Sequence, residues 1–353
     1  MRDGKLGYGI VGCGVIGPWH AESVKRCADA ELVAVCDVDE EKGRAFAEKY
    51  GGVAFHREYA ELVAREDVDV ISVCTPSGIH GEVAIAAAEA GVHVLCEKPI
   101  EIRLDRIDAM IQAAEGHHVK LGCIFQRRTY EVSKKVREAV MQGDLGKMVL
   151  ADAYLKYYRS QAYYNSAGWR GTWALDGGGA LMNQGVHGID LLLWLMGEDA
   201  VATVYAKADH LVRDIEVEDT AAALLTFESG AYGVIEGTTS ANPGEATKIM
   251  LHGKLGTIVL DEGKIARWAT TAGEDDRAEE QEVEVEEGED GGTADPTAIG
   301  MAGHIALVND MVAAVKEDRE PMIPGESARK SVALILAIYE SAKTGQEVRL
   351  EGK

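Results

Sequence analysis

The chain has 353 residues, 46% of them hydrophobic, and a formal net charge of −23. That length exceeds what one hydrophobic core usually serves and favours two domains, while the acidic balance excludes a nucleic-acid binder, whose phosphate ligand demands a basic surface. No apolar run reaches the roughly 18 residues of a membrane helix, and "KLGYGIVGCG" runs straight into a strand and a glycine turn rather than a signal peptide, so a cytoplasmic location is expected.

Taken in chain order, the first 125 residues alternate apolar β-type runs with helical patterns. Strands are predicted at Leu6–Val11, Leu32–Cys36, Val70–Cys74, Val92–Cys96 and Lys120–Phe125, and helices near Gly17–Cys27, Glu40–Tyr50, Ile79–Ala90 and Leu104–Glu115. Continuous Val/Ile/Leu/Cys strands separated by helices indicate a doubly wound parallel sheet of Rossmann type, covered on both faces. After a helix at Glu131–Gln142 the pattern changes. Long strand-like segments follow at Met148–Tyr158, Ala200–Asp209, Thr220–Phe227, Ala231–Thr239, Thr247–Gly253 and Thr257–Leu260, interrupted by an apolar helix around His187. These suit one large, open, mainly antiparallel sheet in a separate α+β domain. Two helices, Gly300–Lys316 and Gly325–Thr344, close the chain. The expected division is therefore α/β, residues 1–125, then α+β, residues 126–353, with the last helices free to return to the first domain. No internal repeat is visible.

All six cysteines fall before residue 124, none in CxxC spacing, and read as buried, reduced thiols. Clusters of Cys, His, Asp and Glu with metal-ligand spacing are absent from the sequence, so no metal is expected. Glu274–Asp290 holds eleven acids and one arginine and reads as an exposed edge strand and loop.

"GIVGCGVIGPWH" places Gly12, Gly14 and Gly17, with Val15 and Ile16 between the last two, after the first strand and at the start of the first helix. The three glycines serve a tight turn, close approach to a pyrophosphate and close helix–strand packing. Asp37 ends the second strand 20 residues after Gly17, where its carboxylate can accept from the ribose hydroxyls of an adenosine. Because a carboxylate repels a 2′-phosphate, and Val38-Asp39-Glu40-Glu41 supplies no arginine, NAD is favoured over NADP.

"CTPSGIH" at Cys74–His80, "CEKPI" at Cys96–Ile100 and a glycine-rich helix start carrying HxxD complete the set. With the glycine turn, these motifs resemble the glucose–fructose oxidoreductase / inositol dehydrogenase / rhizopine catabolism (Gfo/Idh/MocA) family over nearly the whole chain. The resemblance implies an NAD(P)-dependent oxidoreductase acting on the CH–OH group of a sugar, polyol or nucleotide sugar. It implies that Thr75, Pro76, His80 and Gln126 line the cofactor, that Glu97 and Lys98 lie beside the nicotinamide ribose and the reacting carbon, and that the Lys98–Pro99 peptide is of a kind that can be cis. A partly desolvated lysine beside NAD⁺ has its charged form disfavoured, which suits proton transfer. Taken alone, the same lysine reads as a solvated strand end.

Within "GGGALMNQGVHGIDLLLWLMG", Gly177–Gly179 allow a tight turn, and His187 and Asp190, at i and i+3, share a helix face. Their other reading is a core histidine held by a neighbouring aspartate. By the resemblance, His187 bonds the hydroxyl being oxidised and shares its proton with Lys98, and Asp190 orients the ring. Departures from the family pattern are Asn183-Gln184, where relatives often carry Asp-Ile or Asp-Val, and Gln126, where they often carry Asn. The "WRGTWALDGGGALMNQGVH" form is most similar to members acting at C3 of UDP-N-acetylglucosamine or its uronic acid. Asn183 then suits a sugar hydroxyl or N-acetyl group, and Arg127, Arg128 or Arg170 a carboxylate or phosphate, with a structural ion pair the alternative for each. Tyr157, Tyr158, Tyr163, Tyr164, Trp169 and Trp173 offer faces for a sugar ring or a uracil, Tyr164 and Trp169 first among them; a packing cluster is the alternative. Tyr339 reads as core. The expected function is an NAD-dependent sugar or polyol dehydrogenase, a homodimer or homotetramer, with an NAD-dependent glycosidase and a non-catalytic sugar or dinucleotide sensor as rivals.

Overall fold

The computed structural model describes residues 4–197, 201–273, 276–285 and 300–350. The chain divides into two compact units: Met1–Gln126 with Met301–Arg329, and Arg127–Gly300 with Lys330–Lys353.

In the first unit, β1 (Leu6–Val11), α1 (Gly17–Arg26), β2 (Ala30–Cys36), α2 (Glu40–Lys49), β3 (Ala54–His56), α3 (Tyr59–Val63), β4 (Val70–Val73), α4 (His80–Glu89), β5 (His93–Cys96), α5 (Leu104–Gly116) and β6 (Leu121–Cys123) follow one another. The six strands form one sheet in the order β3-β2-β1-β4-β5-β6 with every pairing parallel. That is the doubly wound order, and its switch point lies between β1 and β4. All six residues of β1 and all four of β4 are buried, which is why these strands read as unbroken apolar runs rather than alternating ones. β3 and α3 escape the sequence pattern because an edge strand of three residues and a helix of five are too short to show a period. Each of the six cysteines is buried as a free thiol.

The second unit contains α6 (Glu131–Gln142), β7 (Met148–Lys156), α7 (Gln161–Tyr164), α8 (Val186–Met196), β8 (Val201–Asp209), β9 (Thr220–Phe227), β10 (Tyr232–Thr238), β11 (Lys248–Gly253), β12 (Gly256–Asp261), β13 (Lys264–Thr270) and β14 (Glu279–Glu280). The two final helices are α9 (Ala302–Glu317) and α10 (Gly325–Thr344), and β15 (Val348–Arg349) ends the described chain. α9 packs on α1 in the first unit. The nine strands of the second sheet run β14-β13-β12-β11-β7-β10-β9-β8-β15. All pairs are antiparallel except β7 with β10. Of the acidic tract, Glu279–Glu280 forms the strand at the sheet edge, while residues 274–275 and 286–290 lie outside the described residues.

Helix α8 packs on β7 and β11. Gly185 and Gly188 permit this approach, since a Cβ on Gly188 would lie 2.3 Å from Leu155 Cδ2. The apolar helix does not begin at the three glycines, as the sequence suggests. Ala180–Gly185 form a π-helical turn, and the α-helix starts only at Val186. The wider turn is held by partners from elsewhere in the fold, which no local pattern records.

Candidate functional site

At the carboxyl ends of β1 and β4 the backbone forms an open cradle. Gly12 has φ +102°, and a Cβ there would lie 2.5 Å from the Cys74 carbonyl oxygen. A Cβ on Gly17 would meet the Gly12 carbonyl at 2.8 Å, whereas one on Gly14 would meet nothing within 4 Å. Ile16, at the N-cap of α1, supplies no side-chain cap; Pro18 has no N–H, and Trp19 N–H donates to the Ile16 carbonyl at 3.0 Å. Val15 is 60% exposed beside them. The Thr75 hydroxyl, at the end of β4, is enclosed with no hydrogen-bond partner among the described residues. These features fit a dinucleotide.

Asp37 is 6% exposed. Its Oδ2 accepts from Cys13 N–H at 2.8 Å and its Oδ1 from Asp39 N–H at 2.9 Å, so the carboxylate is fixed against the glycine turn. Lys42 Nζ lies 2.8 Å from Oδ2, a cation that a search for arginine alone overlooks. Burial, and then the Asp37 charge, push the Cys13 thiol up to about 12, which keeps it inert.

His80 is fully enclosed, with Nδ1 2.9 Å from the Pro99 carbonyl and Nε2 2.9 Å from the Thr75 carbonyl. Its ring therefore ties the TP loop to the EKP loop. Pro76 is half-buried, and the Lys98–Pro99 peptide is cis. Gln126 is buried against Gly303 of α9, where a Cβ would lie 2.4 Å from Gln126 Cβ.

Glu97 is the hub of a buried network. Its Oε1 accepts from His20 Nε2 at 2.9 Å and His304 Nε2 at 3.2 Å, and its Oε2 from Lys98 N–H at 3.1 Å. His20 Nδ1 lies 2.7 Å from Ser72 Oγ, which in turn lies 2.9 Å from Tyr8 Oη. Burial works against the Glu97 charge, but the two imidazole hydrogen bonds outweigh it and hold the carboxyl well below its ordinary range. Burial likewise lowers His20, against the pull of Glu97. Glu97 thus fixes the backbone of Lys98, itself half-buried. The sequence contains no metal-ligand spacing, yet folding brings ligand atoms of His20, Glu97 and His304 within 4.8 Å of one another. The three come from α1, the β5 end and α9, separations that spacing cannot reveal. The signal for His20 was a histidine beside Ala21 and Val24 on the buried face of an amphipathic helix; His304, 207 residues from Glu97, left none.

In the second unit, His187 is half-buried in the first turn of α8. Asp190 is buried and binds Arg128, Oδ2 accepting from Nε at 2.8 Å and Oδ1 from Nη2 at 2.6 Å. Asn183 donates to Asp176 Oδ1 and accepts from Gln184 Nε2 at 2.6 Å. Arg127 is buried and donates to Thr247 Oγ1 at 3.2 Å. Tyr164 is 4% exposed, with its hydroxyl 2.8 Å from Thr239 Oγ1, so this ring packs in the core.

Tyr163 and Trp169 behave differently. The Arg170 guanidinium lies 4.3 Å from the Tyr163 ring centre and 4.5 Å from that of Trp169, and its Nη1 donates to Tyr163 Oη at 2.5 Å. Its enclosed Nε has no hydrogen-bond partner among the described residues. Gln184 Nε2 donates to the same hydroxyl at 2.9 Å, and its Oε1 accepts from buried Arg159 at 2.9 Å. Two cations around one phenol suit an anionic ligand.

Comparison with known proteins follows the same lines. Residues 6–125 match the oxidoreductase family with an NAD-binding Rossmann fold, and residues 133–259 match the GFO/IDH/MocA C-terminal domain. The chain is 30% identical to the myo-inositol 2-dehydrogenase of Thermotoga maritima over 97% of its own length and 98% of the relative's. Among solved structures, it is similar to the WlbA dehydrogenase of Bordetella pertussis in complex with NADH and UDP-GlcNAcA, with 32% identity, TM-score 0.86 and coverage of 98% of this chain and 99% of that one. The corresponding complex from Chromobacterium violaceum gives 30% identity and TM-score 0.87, covering 100% of this chain and 98% of the other.

Proposed function

This chain belongs to the GFO/IDH/MocA family of NAD-binding oxidoreductases, and from that premise we propose that it oxidises a secondary hydroxyl of a nucleotide-linked amino sugar or its uronic acid, at C3. The observation that carries this reading is the Arg170 guanidinium held between Tyr163 and Trp169, a planar cation beside aromatic faces that suits a carboxylate or phosphate on a sugar. The two WlbA dehydrogenases, solved with UDP-GlcNAcA, support the same substrate class.

The cradle of Gly12, Gly14 and Gly17 would hold NAD, with the fixed Asp37 carboxylate available to accept from the adenosine ribose hydroxyls. When bound, NAD⁺ accepts the hydride that leaves the carbinol carbon. Lys98 Nζ takes the hydroxyl proton, His187 hydrogen-bonds the same hydroxyl, and Asn183 a neighbouring polar group of the sugar. His20, Glu97 and His304 hold the Lys98 backbone in place. Asp190 acts by fixing Arg128 and the helix that carries His187. The chain's contribution is to position the carbon and the proton acceptor before reaction.

We assign a second copy of the chain to the open face of the large sheet. Across it, cross-strand neighbours Tyr205, Leu224, Val234, Asp152, Met250 and Val259 form one row. Tyr205, Leu224 and Tyr232, three large apolar side chains on this face, are 43%, 51% and 56% exposed, while Asp152 in the row is buried. Six free thiols in the chain support a reducing, cytoplasmic location.

The test is NADH absorbance at 340 nm with purified protein, NAD⁺ and a panel of inositols, aldoses, glycosides and UDP-sugars. NADH formed with UDP-N-acetylglucosamine or its uronic acid is the expected result. Silence across the panel from protein that binds NAD overturns the dehydrogenase reading.

A further inference from the structure

The π-helical turn at Ala180–Gly185 is capped by two residues far away in sequence. Glu218, 3% exposed, accepts from Gly179 N–H through Oε2 at 2.9 Å and from Leu181 N–H through Oε1 at 2.8 Å. Its main-chain carbonyl accepts from Ala180 N–H at 3.1 Å. Tyr339 Oη donates to Glu218 Oε1 at 2.7 Å and accepts from Met182 N–H at 3.3 Å. Four successive N–H groups, Gly179 to Met182, are thereby satisfied; at the start of a helix such donors have no partner within the helix itself. The glycines are the other half of the device. A Cβ on Gly178 would lie 2.1 Å from Tyr339 Oη, and one on Gly179 would lie 2.1 Å from the Glu218 carbonyl oxygen.

We propose that Glu218 and Tyr339 are positioning residues that fix the turn presenting Asn183 and His187, and so act on turnover without touching substrate. This rests on the substrate-facing roles given above to those two residues. The three side-chain bonds need a carboxylate, which only accepts; an amide or a protonated acid would aim a hydrogen at one of the donors. Burial pushes Glu218 up to about 7, against the bonds from Leu181, Gly179 and Tyr339. The titratable groups facing this enclosure are Tyr339 from α10, Tyr164 from α7 and Asp176 from the preceding loop. Near neutral pH, protonation therefore takes away one of these acceptors and rearranges the hydrogen bonds of the turn.

The experiment compares wild type, Glu218→Gln and Tyr339→Phe by amide hydrogen exchange over residues 179–187, and by kcat, KM and their pH dependence. Exchange faster by about tenfold or more in both variants is expected, the size of a lost hydrogen bond to a charged group. NAD affinity should be unchanged, kcat lowered more than KM is raised, and an acid limb near pH 7 present in wild type but absent in Glu218→Gln. Tyr339→Phe, which removes one hydroxyl, keeps the test open if Glu218→Gln fails to fold. Unchanged exchange overturns the proposal whatever the substrate proves to be. Faster exchange with unaltered turnover of a confirmed substrate overturns the link to catalysis.

Discussion

Asp190 receives two hydrogen bonds from the Arg128 guanidinium, at 2.6 and 2.8 Å, with both side chains almost wholly buried. The pair joins the turn at Gln126–Thr129 to α8 three residues beyond His187. Removing one member of a buried pair leaves an uncompensated charge, which costs about 3–5 kcal/mol. Asp190→Asn is expected to lower stability by that order in urea unfolding, and the double variant Arg128→Met, Asp190→Leu to recover much of it. A single variant as stable as wild type would refute the assignment.

Asp37→Ala should weaken NAD⁺ binding by about 10- to 100-fold, the range for charge-assisted hydrogen bonds to two ribose hydroxyls. The variant also frees the Cys13 amide, so part of the loss will come from a looser glycine turn. Isothermal titration decides; an unaltered Kd would mean that Asp37 does not meet the ribose.

Lys98→Met and His187→Ala are each expected to lower kcat by about 10²- to 10⁴-fold, the span of general acid–base effects. NAD⁺ affinity measured by fluorescence should stay near wild type in both. Turnover retained in His187→Ala would remove that residue from the reaction.

The Glu97 network predicts a direction for acid unfolding. Burial lowers His20 in the folded state, so below its ordinary value near 6.5 the unfolded chain takes up a proton that the native one resists. Glu97 is also lowered, and its contribution, present above about 4.5, is lost as pH falls further. The Tm advantage of wild type over His20→Gln should therefore shrink as pH drops below about 6.5. Glu218 works oppositely: its raised value means that stability from this group falls as pH climbs from about 4.5 to about 7. A Tm gap between wild type and His20→Gln that widens on acidification would contradict the network.

Leu224→Arg and Tyr232→Arg place charges on the open sheet face. Light scattering after size exclusion should show a lower mass than wild type, with the Rossmann unit still binding NAD⁺. An unchanged mass for both variants would exclude this face as the contact between copies.

Where periodicity acts locally, the sequence was a close guide. Burial of both sheet faces wrote β1 and β4 as unbroken apolar runs, and α10 is predicted at Gly325–Thr344, the span it occupies. The glycine turn with Asp37 was equally readable, because each residue there answers a backbone or charge requirement within a short stretch of chain. Which rings of the aromatic-rich stretch turn inward is not written in the sequence, and burial of Tyr164 is a matter of the fold.

What the sequence by itself determined was therefore the longer elements, the glycine turn after β1 and the family. Tertiary structure alone decided the partners of the buried polar groups. Glu97 meets His20 and His304 across separations of 77 and 207 residues, and the turn before His187 takes its shape from Glu218 and Tyr339. The physical reason is that a buried charge or an uncapped N–H must find its partner in space, and local sequence patterns carry no record of which distant residue supplies it.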